Sequence, residues 1–148
     1  MTDDWERVDT GRPDARLLAT ARTVVKDYEP LVVETAVDNP LDPEILSLHT
    51  DAGIRTAHGR FDVTWTDSGY YKYHYTEGGT FNYRYDRHPR PDLPENHFHP
   101  PPDATHEDAV PSCIDVETVR LVTLAVLQLW RDTLDTGDLG TLQQPDPP

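Results

Sequence analysis

A chain of 148 residues with a formal net charge of −14 has room for one domain with a real core, and nothing in it suggests a second. Its acidity is Asp-rich and its 13 basic residues include only two lysines, Lys26 and Lys72, a composition suited to a salty cytoplasm where screening suppresses self-repulsion. The single cysteine, Cys113, excludes an internal disulfide and a two-cysteine metal clip, and the absence of a signal peptide pattern or a bilayer-length apolar run leads to the expectation of a soluble, cytoplasmic protein without membrane contact.

Residues 1–12 lack periodicity and are expected to form a flexible N-terminus. From Pro13, apolar residues at Leu17, Leu18, Ala21, Val24 and Val25 follow helical spacing, and Pro30 ends that helix near Asp27. Leu31–Val37 is a β-branched run read as a strand. Leu41–Asp51 is ambiguous between a strand and a short helical turn.

The most regular stretch is Arg60–Asp86. Three runs of alternation place Phe61, Val63 and Trp65, then Tyr71, Tyr73 and Tyr75, then Phe81, Tyr83 and Tyr85 on one face. Asp67-Ser68-Gly69 and Glu77-Gly78-Gly79 are short glycine-containing connections of the kind that join antiparallel hairpins. A meander with an aromatic core face follows, its polar face gathering Arg60, Asp62, Lys72, His74, Arg84 and Asp86. Six prolines between Pro89 and Pro102 predict a long loop over residues 87–111 without regular hydrogen bonding.

Asp115 reads as an N-cap, and Val116, Val119, Val122, Val126, Leu129 and Trp130 form a helical stripe running to about Leu134, with Gly137 as the stop. Leu121, Leu124, Ala125 and Leu127 make this helix apolar nearly all round. One side is expected on the aromatic sheet face, the other against the N-terminal helix or a second copy in a homodimer. The expected fold is α+β: an antiparallel meander, one face covered by the long C-terminal helix, plus an N-terminal helix. A single domain over residues 13–137 and a tail from 138 to 148 complete the outline.

Charge is unevenly spread. Residues 51–90 hold six basic residues against five acidic ones, and the remainder seven against twenty-two, so the middle of the chain is kept near neutral, as a surface reserved for an anion would be. His97 and His99 share a face if their segment is extended, Arg84 and Asp86 do so on their strand, and His74 sits one hairpin away. Such a grouping suits phosphodiester cleavage, with one imidazole as base, one as acid and a guanidinium on the phosphoryl oxygens. It also suits a metal held by His97, His99 and either Asp86 or His88, or recognition of a partner without chemistry. The plainest reading has the histidines hydrogen-bonded to loop carbonyls so that the proline-rich segment packs on the sheet.

The order Tyr73-His74, Arg84-Tyr85-Asp86, Pro89 and His97-x-His99 resembles the TumE-like toxins of prokaryotic toxin–antitoxin pairs. The likeness covers roughly residues 60–100. It departs from the family pattern at Arg87, where Asn is expected, and at Arg90-Pro91, where paired histidines are expected; His88 precedes the proline instead, leaving its role open. The resemblance implies a toxin silenced by a cognate helix-turn-helix antitoxin and acting on RNA. The resulting expectation is a metal-independent ribonuclease needing no cofactor: Arg84 binds phosphate, Asp86 orients a histidine, His97 and His99 exchange protons, and His74 stands in reserve. Arg60, Lys72, Arg87, Arg90 and Tyr73 would contact the nucleic acid. The alternatives are a binding protein docking a partner through the same face and a histidine-dependent metal hydrolase.

Overall fold

The three alternating runs become neighbouring strands of a larger sheet. The computed structural model describes residues 11–144 and contains helix α1 (Ala15–Tyr28), strands β1 (Val32–Val37), β2 (Leu46–Thr50), β3 (Gly59–Trp65), β4 (Tyr71–Glu77), β5 (Phe81–Arg87), β6 (Asn96–His99) and β7 (Val110–Pro111), and helix α2 (Val119–Thr136), followed by a short 3-10 helix (Leu139–Gln143). The seven strands pair in chain order, every pairing antiparallel. This is the expected α+β meander, extended by two strands on each side.

Register follows directly from the alternation. Val63, Tyr73, Tyr85 and Phe98 lie in one row across β3–β6, while Asp62, His74, Arg84 and His99 lie in the next, facing the other way. The aromatic row belongs to a core in which Phe61, Val63, Trp65, Tyr71, Tyr73, Tyr75, Tyr83 and Tyr85 are all buried. Trp130 of α2 meets the Phe61 and Tyr75 rings at 6.0 and 6.4 Å between centroids. Gly59 is required where β3 passes Tyr75, since a Cβ there would lie 2.2 Å from the phenol oxygen.

The helices form one layer on this face. α1 begins after Asp14, whose carboxylate caps Arg16 N–H and Leu17 N–H at 2.9 and 3.1 Å. Arg131 donates to Glu29 at 2.7 Å and Arg120 to the Tyr28 hydroxyl at 2.8 Å, tying α2 to the end of α1. The back of α2 therefore meets α1.

Several expectations need correction. Residues 87–111 are not wholly irregular, because the proline-free piece Asn96–His99 keeps its backbone donors and forms β6, and β7 pairs with it at the sheet edge. α2 starts at Val119 with Thr118 as cap and not at Asp115. The reason is local: the Asn96 side chain donates to Ile114 O at 2.8 Å and Ser112 N–H to Asn96 O at 3.1 Å, holding that segment extended beside β6. The ambiguous stretch after Leu41 resolves as β2, with Leu46 and Leu48 in the core. Within the expected tail, Leu142 is buried and its carbonyl accepts from the Tyr85 hydroxyl at 2.6 Å. The expected flexible N-terminus falls largely on residues 1–10, outside those described, as do residues 145–148; Arg12 is paired through its backbone with Asp67. The two sheet edges differ: β1 is six residues long with Val33 exposed, whereas β7 is two residues ending in Pro111.

The loop between β2 and β3 is pinned by one carboxylate. Glu77 accepts from the N–H groups of Ile54, Arg55 and Thr56 and from the Tyr75 hydroxyl. Burial alone would raise its pKa, but the bonds from Tyr75, Arg55, Ile54 and Thr56 outweigh that and hold it below the ordinary 4.5. A depressed folded-state value contributes stability above the unfolded value, lost as pH falls through the folded one. Wild type should therefore exceed Glu77→Gln in urea midpoint at about pH 7, with the gap narrowing progressively as pH falls below the ordinary 4.5. Trp130→Ala should cost about 3–5 kcal/mol in guanidinium unfolding, because it empties the contact between α2 and the sheet.

Candidate functional site

The side of the sheet facing away from the helices carries a buried polar cluster at β5 and β6. Arg84 and Asp86 point to that side from β5, and His88 continues the same parity just past its end. Arg84 lies opposite His99 and Asp86 opposite His97, so strand pairing alone brings the four together. Asp86 Oδ2 is 2.9 Å from Arg84 Nε, 3.0 Å from His99 Nε2, 3.5 Å from His97 Nε2 and 3.6 Å from His88 Nε2. His88 Nε2 and His97 Nε2 are 3.1 Å apart, and His99 Nε2 is 3.0 Å from an Arg84 terminal nitrogen.

The proline-rich loops close over this group. His88 Nδ1 bonds to Pro89 O at 3.1 Å, His97 Nδ1 to Pro94 O at 3.4 Å and His99 Nδ1 to Thr105 O at 3.1 Å. A carbonyl can only accept, so all three imidazoles carry hydrogen on Nδ1. The Asn82 N–H donates to Pro102 O, clamping the second loop onto β5. Asp86, His97 and His99 are fully buried; Arg84, with 24 % of its side chain exposed, is the way out. Burial alone would raise the Asp86 pKa, but the imidazoles of His88, His97 and His99 gathered round it and the Arg84 charge hold it well below the usual carboxylate range. Its other oxygen, Oδ1, is buried without a hydrogen-bond partner among the described residues.

The remaining candidates divide. His74 stands next to Arg84 in register and bonds through Nε2 to Asn82 Oδ1 at 3.0 Å; half-burial and then the Arg84 charge lower its pKa, which keeps it neutral. Lys72 is exposed opposite Asp86, and Arg60 is exposed beside Asp62 at 3.1 Å. Three of the expected nucleic-acid contacts lie away from the exposed polar face. Tyr73 is in the core, accepting from Trp65 Nε1–H at 2.9 Å. Arg87 has the parity of Tyr85 and turns to the helix side, 3.6 Å from Glu95, 3.7 Å from Glu117 and over the Tyr70 ring. Arg90, only 4 % exposed, is bound by Asp92 and by His106 O. His88, whose role the family pattern left open, belongs to the cluster; its two-residue step from Asp86 is the signal that identifies it.

A family model for Toxin TumE matches residues 21–134. The chain belongs to the TumE toxin family. The match runs from within α1 to within α2, well beyond the motifs at residues 60–100, so the helical layer is part of what this TumE-family protein shares. Membership implies a cognate antitoxin as partner. No curated protein and no solved structure matches the chain significantly. Among the described residues no helix is long and apolar enough to cross a membrane.

Because Asp86 is the one carboxylate opposite the Arg84 charge in the cluster, removing it strands Arg84 over three imidazoles. Asp86→Ala should cost about 3–5 kcal/mol in urea unfolding in concentrated KCl, whereas Lys72→Ala on the exposed face should change stability by no more than ~0.5 kcal/mol.

Proposed function

We propose that this TumE-family toxin acts by cleaving RNA, with Arg84 as its phosphate-binding group. The observation that carries the reading is the position of the guanidinium: fixed by Asp86 and His99, partly open to solvent, and next in register to a neutral His74. A cation so held is pre-oriented for charge developing on a phosphoryl oxygen and needs little reorganisation when substrate arrives. His74 donates through Nε2 to Asn82, which leaves its Nδ1 lone pair for the proton of an attacking ribose 2′-hydroxyl; as that oxygen bonds to phosphorus the P–O5′ bond breaks, and the departing oxygen takes a proton from solvent.

The open polar face of β2–β5 supplies the path. Ser47, Asp62, His74 and Arg84 form one row, and His49, Arg60 and Thr76 border a shallow groove beside it. Arg60 and Lys72 are the exposed cations there. The burial of His97 and His99 argues against their exchanging protons directly with substrate; in this scheme His99 positions Arg84. Salt screens the self-repulsion of an acidic chain but also weakens contacts to phosphate, so cleavage is read across a range of KCl concentrations.

Arg84→Ala should lower cleavage of single-stranded RNA by about 10²–10³-fold, with circular dichroism read alongside so that lost fold is not mistaken for lost chemistry. RNA left intact by wild type, together with antitoxin binding that weakens on the same substitution, would assign the face to docking and overturn cleavage.

A further inference from the structure

Three features of the cluster are unexplained by hydrogen bonding. His88 Nε2 and His97 Nε2 face each other at 3.1 Å although both rings already carry hydrogen on Nδ1. Two neutral imidazoles in that state direct lone pair at lone pair. The contacts from Asp86 Oδ2 to these nitrogens, 3.5 and 3.6 Å, are too long for hydrogen bonds. Asp86 Oδ1 is buried without a partner among the described residues. A single proton between the two rings would settle the first and leave the others.

We infer that Asp86, His88 and His97 form a binding site for a divalent first-row transition-metal ion. Their ligand atoms all lie within 4.8 Å of one another. A triangle with sides of 3.1, 3.5 and 3.6 Å has a point about 2.0 Å from every corner, which matches the bond length of about 2.0–2.1 Å that imidazole and carboxylate ligands make to zinc. An ion there replaces the repulsion between two lone pairs with two bonds, and leaves at least one coordination position for water or a substrate oxygen.

The surroundings match the chemistry of a metal centre. Ligating imidazoles generally donate their second N–H to a backbone carbonyl or carboxylate, which fixes ring and tautomer; Pro89 O and Pro94 O do this for His88 and His97. Asp86 Oδ2 is in turn held by Arg84, whose guanidinium also donates to His99 Nε2. Two imidazoles and one carboxylate favour zinc, cobalt, iron, nickel or manganese over magnesium or calcium. The choice of His88 follows from geometry: His99 is turned to Arg84 and acts as a positioning residue for the carboxylate. The site rests on these contacts and not on the RNA reading.

The test uses the full chain without a histidine tag, made by cell-free synthesis and kept in concentrated KCl. Elemental analysis after dialysis against zinc should find about one equivalent per chain, and cobalt(II) should give the visible absorption of a low-symmetry N/O site. His88→Gln and His97→Gln should abolish the cobalt band while His58→Gln, remote from the cluster, retains it; His99→Ala should weaken affinity by about 10–100-fold. Folded wild-type protein with under about a tenth of an equivalent of zinc and no cobalt band would overturn the site, as would a band that survives in folded His88→Gln. Should the glutamine variants not fold, the wild type decides: zinc must raise its thermal midpoint and a chelator reverse it, and an unmoved midpoint overturns the inference. Full metal loading by a chain that leaves RNA intact supports the site and removes only the cleavage reading.

Discussion

The buried carboxylate of Asp86 is the constraint on which the open side of the sheet depends. Strand pairing takes it out of water between β4 and β6, where an ionised group is tolerated only with opposing charge and donors close by. Arg84 supplies both at 2.9 Å, and the imidazoles of His99, His97 and His88 stand round the carboxylate at 3.0, 3.5 and 3.6 Å. The covering loops then have a definite task. Each presents carbonyls that turn an imidazole toward the carboxylate, so the proline-rich segment is ordered by the cluster as much as it shields it.

The two faces of the sheet solve different problems with the same alternation. On one, tyrosines, Phe61, Trp65 and Phe98 pack under α1 and α2, a core of ring contacts in which the Tyr73 and Tyr85 hydroxyls meet Thr123 and Leu142 O while those of Tyr71 and Tyr83 are buried without a hydrogen-bond partner among the described residues. On the other, the same strands hold charged and titratable groups at fixed separations of one residue pair. The aromatic side therefore acts as the rigid backing for the polar side. Its stiffness matters because a misplacement of a fraction of an ångström would open the Asp86 contacts.

Much of this was legible before any coordinates. Period-two alternation over residues 60–86 is a strong signal for both faces and for Arg84 and Asp86 sharing the polar one, whereas His97 and His99 share a face only on the condition that their segment is extended. What failed had local causes. Counting prolines across 87–111 hid the short stretch Asn96–His99 in which none occurs. Asp115 looked like a cap because side-chain type alone cannot register Asn96 reaching Ile114 O. The family motif suggests a nucleic-acid contact at Tyr73, whereas its parity puts it with Tyr71 and Tyr75 in the core. His88 had the right parity and was passed over for the opposite reason, since the family pattern placed its histidines after the proline.

The unequal edges of the sheet limit how another chain can extend it. Beside the buried cluster, Pro111 and the segment tied to Asn96 leave no run of free backbone donors, so no foreign strand can be added there. The opposite margin is a six-residue ribbon with Val33 uncovered. A visiting strand would zip on at that rim, four ladders or about 19 Å from Asp86, so capture by backbone pairing and occlusion of the cluster would be separate events on this molecule.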